Sequence, residues 1–398
     1  MYTLGEKKVD TCRKVWYKLD KKMRRSGITM INRERLLNTF LDYVQISSES
    51  RHEAAFARRL KADLEALGLE VYEDDTQGQT GSDAGNLYAT LPGNRAGEPL
   101  ILCAHMDTVP PGNGVVPIVE DGVIRSSGDT VLGGDDKSAV AGIMETLRVI
   151  LEHDLPHPDL QLVFTVCEEI GLRGGWALDF DRLIAKRAVI FDSVGDVGKI
   201  VNRGPGHSYL EATVVGRSAH AGMAPEDGIS AVHVLCEAVA NMKLSRIDEE
   251  TTANVGTIRA DFEPNVVAER AYLHAECRSL DLNKLRAQEK HMMDCLHTAC
   301  DKYGAKLEGG LLPCFIPFAI PEEDPLVQQV IRACGQIGVP YRLSSTGGGS
   351  DAHVFNMKGI KALILSTGMD RVHTVREQLT IKNLEDTARW ALALATSE

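Results

Sequence analysis

Residues 101–110 read ILCAHMDTVP. The apolar run leading into them has the character of a strand buried on both faces, and it stops at His105, Met106 and Asp107. In an extended chain residues i and i+2 point to the same side, so His105 and Asp107 can converge on one point. Alone, a His-x-Asp at a strand end is more often a hydrogen-bonded pair than a metal site. Its meaning depends on what ends the neighbouring strands.

Working outward, helix-like and strand-like stretches alternate. INRERLLNTFLDYVQI and ESRHEAAFARRLKADLEALG have helical spacing, whereas LEVYED, NLYATLP, LQLVFTVCEE and AVIFDS are short strands. DDKSAVAGIMETLRVILEH is a helix with two aspartates in its first turn, where the helix dipole favours them. This alternation predicts an α/β sheet covered by helices. From Val201 the texture becomes βαββαβ, the order of a ferredoxin-like unit, and after Pro317 the α/β pattern resumes. The expected organisation is one domain built from residues 30–200 and 318–398, with residues 201–317 inserted between the two segments.

The chain has 398 residues, 43% of them hydrophobic and 25% charged, the profile of an ordinary globular protein too long for one core. A net charge of -12 excludes the basic face that a nucleic acid or an anionic membrane surface would require. No run of 18 apolar residues is present, which excludes a helical membrane span. Nine cysteines with no CxxC pair read as thiols of a reducing cytoplasm. Residues 1–29, with KKVDTCRKVWYKLDKKMRR, form a basic stretch in an acidic protein. They read as an extension ahead of the globular fold, without the apolar core of a secretory signal.

The acids fall at strand ends. His105 and Asp107 end one strand, Glu168 and Glu169 a second, and Asp192 a third; Asp135 and Asp136 open the DDKS helix, and His373 follows the strand ALILST. Ligands of open α/β sheets lie beyond the carboxyl ends of the strands, so these groups should share one crevice. Packed carboxylates repel and raise one another's pKa unless cations neutralise them. Two histidines with several carboxylates suit zinc, with cobalt or manganese as substitutes. A pair of ions about 3.5–4 Å apart needs a bridging carboxylate and about two further ligands each. His105 and Asp192 can serve one ion, Glu169 and His373 the other, and one of Asp135 and Asp136 the bridge. Adjacent glutamates cannot easily both face the metals, so one is free to act as general base. Asp107 would orient His105 through the second ring nitrogen.

The ordered set AHMDT, GGDDKSA, CEEIG, the Asp of IFD, GGGSDAH and VHTVRE resembles the zinc-dependent peptidase superfamily of tripeptidase T, glutamate carboxypeptidase and aminoacylase. The nearest branch is that of the bacterial peptidase T-like proteins, and the likeness runs from about residue 30 onward. The resemblance implies a two-metal catalytic domain and an inserted lid domain that makes a homodimer. It assigns Asp135 as the bridge, Glu168 as the general base and Asp107 as its supporting acid. It further implies that His220, in GRSAHAG, reaches the partner's active site to polarise the scissile carbonyl, and that Asn254 and Arg278 bind substrate, the arginine gripping a carboxylate. Gly347, Gly348 and Gly349 would let backbone approach the ligand. Two positions depart from the pattern. Ser138 and Ala139 follow the DxK lysine where the family often has glycine, and His353 stands where the nearest branch has asparagine, putting a titratable side chain at the substrate end.

These readings predict a cytoplasmic hydrolase of short peptides bearing a free carboxylate. The same chemistry on N-acyl amino acids, or a carboxypeptidase of the same superfamily, is the close alternative. A non-catalytic metal-binding scaffold is the remote one, since it would have no use for a base beside its ligands.

Overall fold

The structure is a computed structural model that describes residues 30–397; the basic segment 1–29 lies outside the described residues. The chain divides into two compact units. One holds the described residues up to Asn202 together with Ile320–Ser344 and Ser350 onward, and the other holds Arg203–Ala319 with Ser345–Gly349. The last of these segments is tied to its unit by hydrogen bonds from Arg278 Nη1 to Gly347 O at 2.9 Å and from Thr346 N to Arg203 O at 3.1 Å.

The sheet of the first unit runs in the order Val71–Glu73, Leu87–Leu91, Leu160–Thr165, Leu100–His105, Arg187–Ser193, Lys361–Ser366, Lys199–Gly204. Its four central strands, from Leu160–Thr165 to Lys361–Ser366, are parallel, and the strands flanking them pair antiparallel. Every residue of Leu100–His105 and Leu160–Thr165 is buried, as the unbroken apolar runs predict for parallel strands covered on both faces. Helix Gly134–His153 packs against Arg33–Val44 and Ile381–Thr396, and the latter also against Pro325–Ile337. A second, antiparallel sheet joins Met369–Asp370, Gln378–Thr380, Val123–Ser126 and Pro117–Glu120, so that residues 371–377 form a hairpin loop.

The second unit has the predicted βαββαβ order. Strands Lys306–Phe315, Gly206–Val215, Arg270–Ser279 and Thr251–Arg259 lie side by side, the ferredoxin-like arrangement. Helices Ala231–Asn241 and Leu282–Tyr303 close its core over Leu210, Val214, Leu235, Leu273, Met292 and Leu296. Among the described residues no helix is long and apolar enough to cross a membrane.

Candidate active site

Because the central strands are parallel, their carboxyl ends emerge on one side, and the acids and histidines gather there. His105 is the last residue of its strand and Asp192 lies near the end of the next. After Thr165 the chain turns sharply, with Cys167 at φ 51° and hydrogen bonds from Leu172 N to Glu168 O and Gly174 N to Val166 O, which presents Glu168 and Glu169 at the sheet rim. Asp135 and Asp136 precede the regular part of helix Gly134–His153, in extended and bridge conformations that turn their side chains apart.

His105, Asp135 and Glu169 bring one ligand atom each within 4.8 Å of one another. Asp135 Oδ1 is 3.1 Å from His105 Nε2, and its Oδ2 is 3.5 Å from His373 Nε2. The two oxygens of one carboxylate thus face two different histidines. His373 Nε2 is also 3.0 Å from Glu169 Oε2, and His105 Nε2 is 3.9 Å from Asp192 Oδ1. Asp136 Oδ2 turns the other way and accepts from the backbone N–H of His105 at 3.2 Å.

Electrostatically the cluster is starved of positive charge. Burial, then the neighbouring Asp135, pushes Asp192 up to about 8. Burial, then Asp192, holds Glu168 well above the usual carboxylate range, and burial followed by Asp135 raises Glu169. Hydrogen bonds to Asp135 and Glu169 push His373 up to about 10. Burial works against a charge on His105, but Asp107 and Asp135 outweigh it and raise its pKa. Groups that hold protons this firmly in a buried site present the donor set that divalent cations satisfy, and the residues present fit such ions.

Asp107 has a wider role than the sequence assigns it. Its Oδ1 stands 3.4 Å from His105 Nδ1, but the shortest contact of that nitrogen is the Asp107 backbone carbonyl at 2.9 Å. The carboxylate also accepts from the backbone N–H groups of Glu168 at 3.0 Å and Glu169 at 3.2 Å, and from Ser50 Oγ at 2.6 Å.

In the second unit, Arg278 spends its forked edge on Glu276, with Nε–Oε1 3.2 Å and Nη2–Oε2 2.9 Å, while Glu276 also meets buried His207 at 3.1 Å. His220 is exposed, its Nδ1 accepting from Gly222 N and Met223 N; Asn254 is exposed on strand Thr251–Arg259. His353 is fully buried in helix Asp351–Met357 and its Nδ1 turns back on Ser350 as part of a capping box.

Sequence reasoning missed three buried groups. Glu53 accepts from Cys167 N at 3.0 Å and Ser82 Oγ at 2.6 Å, bracing the turn before Glu168. Lys137 donates to Ile46 O at 2.6 Å and lies over the Phe56 ring; burial pushes it down to about 7. Glu377 accepts from Gly133 N and Asp135 N. Glu377 stands within the motif VHTVRE, but nothing in the sequence tells which backbone a buried carboxylate will hold.

Residues 205–304 match the peptidase dimerisation domain and residues 290–390 match the M42 glutamyl aminopeptidase model. The crystal structure of aminopeptidase PepT from Bacillus cereus is 40% identical, with a TM-score of 0.87, over 92% of this chain and 99% of that one. The chain belongs to the peptidase T-like M20 peptidases. A tripeptidase structure from Staphylococcus aureus is 38% identical to this M20 peptidase, with a TM-score of 0.89 over 92% of this chain and 98% of that one. Peptidase T of Escherichia fergusonii is 27% identical over 91% of this chain and 98% of its own length. As a peptidase T-like M20 protein, the chain is a metal-dependent peptidase.

Proposed function

We propose that this peptidase hydrolyses short peptides with two divalent cations, zinc in the first instance and cobalt or manganese as substitutes, as a cytoplasmic homodimer. The observation that carries the reading is the Asp135 carboxylate, whose oxygens face His105 at 3.1 Å and His373 at 3.5 Å. His105 and Asp192 would hold one ion, Glu169 and His373 the other, with Asp135 between them. Bound there, the ions supply Lewis acidity to the amide carbonyl and to the attacking water.

The chain's own residues do the rest. Glu168, presented at the sheet rim by the turn after Thr165, takes the proton of the attacking water and returns it to the leaving nitrogen. Asp107 fixes the backbone that carries Glu168 and Glu169. On the second unit, His220 would polarise the scissile carbonyl in the partner subunit's site, and Asn254 and Arg278 would bind substrate, the arginine holding its free carboxylate through the Nη donors that Glu276 and Gly347 O leave available.

The test is turnover of a panel of dipeptides, tripeptides and N-acyl amino acids by protein stripped and then reloaded with zinc, cobalt or manganese. Glu168→Gln should keep its metal and lose roughly 10²–10⁴-fold in kcat. Wild-type turnover by that variant would remove Glu168 from the mechanism, and exclusive hydrolysis of N-acyl amino acids would replace the substrate class.

A further inference from the structure

His373 is the most exposed member of the cluster, with 53% of its side chain accessible, and it rides on the hairpin loop 371–377. A ligand on an exposed loop holds a metal tightly only if something fixes the loop relative to the other ligands. The buried end of that loop is Glu377, which is 2% exposed. Its Oε2 accepts from Gly133 N at 2.8 Å and its Oε1 from Asp135 N at 2.9 Å. The same carboxylate therefore holds the backbone on both sides of Gly134, in the non-helical turn that delivers Asp135 ahead of the regular helix. On the loop side, Glu377 N donates to Thr374 O at 3.0 Å, while Thr374 Oγ1 donates to Arg371 O and accepts from Arg376 N, so the segment is braced from His373 to Glu377.

A second observation is independent of these bonds. A Cβ at position 134 would stand 3.1 Å from Glu377 Oε1, and Gly133 has φ 73°, the left-handed region that favours glycine. The two glycines before Asp135 thus allow the carboxylate its close approach.

We infer that Glu377 is a positioning residue: it ties the bridging Asp135 to the loop of His373 and so sets the affinity of the cation held by Glu169 and His373. The inference rests on the two-cation reading above. It concerns the spacing of ligands on two chain segments.

The test is titration of metal-stripped full-length protein with Co²⁺, followed by visible d–d absorption and calorimetry. Wild type should take two equivalents. Glu377→Ala and Glu377→Gln should take the first with near wild-type affinity and the second roughly 10–100-fold more weakly, with an altered second absorption band. The glutamine keeps the side chain's volume but turns an amide NH₂ toward a backbone N–H. Gly134→Ala, which crowds the carboxylate without removing it, should show the same selective loss in smaller measure, and it carries the test if Glu377→Ala fails to fold. Two equivalents of unchanged affinity in these variants, or equal weakening of both, would overturn the inference. If wild type itself takes fewer than two Co²⁺, the two-cation reading fails and this one falls with it.

Discussion

The carboxylate of Asp107 accepts the backbone N–H of Glu168 at 3.0 Å. With Glu169 N and Ser50 Oγ on the other oxygen, the aspartate serves as a clasp for the turn that delivers both glutamates. Asp107→Asn replaces one acceptor by an NH₂ that must face a donor, so the turn should shift. We expect kcat to fall roughly 10–100-fold, with a smaller loss in metal affinity. Ser50→Ala, which removes one hydrogen bond to the carboxylate and leaves its two backbone donors in place, should cost less in kcat. Steady-state kinetics beside metal analysis separates the two, and an Asp107→Asn enzyme with intact kcat would contradict the clasp.

Metal removal should leave a site that takes up protons. Hydrogen bonds to Asp135 and Glu169 hold His373 at about 10, and burial holds Asp192 at about 8, so both are protonated in the metal-free protein at pH 7. Cations must displace those protons, because a metal-binding imidazole is neutral and a metal-binding carboxylate ionised. The sign follows: apparent metal affinity rises with pH through the range from 7 to 10, and binding at pH 7 releases protons. Calorimetry in buffers of differing ionisation enthalpy measures the number released. Pure pH-independent binding, with no buffer dependence, would be incompatible with this site.

Helix Arg33–Val44 is fastened to helix Gly134–His153 through Arg35. Its Nε and Nη2 lie 2.7 and 2.9 Å from the two oxygens of Glu145, which is wholly buried, and Asn32 N donates to the same carboxylate at 2.8 Å. Arg35→Ala strands that buried charge, at a cost of about 3–5 kcal/mol. The pair Arg35→Met with Glu145→Leu removes both charges and should recover most of the loss. Urea unfolding of the single and double variants decides between an essential charge pair and a replaceable one.

Much of the fold was legible because buried parallel strands leave unbroken apolar runs, and because the same strands end at residues too polar for a core. His105, Glu168, Glu169 and Asp192 all stand at such boundaries. The switch to βαββαβ after Val201 was equally plain, since helix and strand periods differ. What the sequence could not supply were partners at long range. Asp107 was read as steering an imidazole two residues away, and what the local pattern could not tell is that its carboxylate also reaches residues 168 and 169. Glu53, Lys137 and Glu377 look like surface charges in their local patterns; each is buried because a distant segment offers it a backbone donor, acceptor or aromatic face. Motif order gives no side-chain direction either, so the bond from Ser350 N to His353 Nδ1 was not legible.

Gly174 ties that long-range packing to a single methyl group. Its N–H donates to Val166 O at 2.9 Å, and Asn86 spans the same gap, accepting from Val166 N at 3.1 Å and donating to Gly174 O at 3.2 Å. A Cβ at 174 would stand 2.1 Å from Val166 O and 2.7 Å from Asn86 Oδ1. Backbone cannot yield that distance locally, so Gly174→Ala must push the segment Arg173–Ala177 away from the strand end. The displaced strand end leads directly into Cys167 and Glu168. We expect a stability loss of at least about 1–3 kcal/mol together with a fall in kcat at unchanged metal content. Gly78→Ala, where a Cβ meets nothing within 4 Å, is the matched control and should leave both quantities in place. If Gly174→Ala behaves like the control in denaturant midpoint and kcat, the rim turn is not held by this contact.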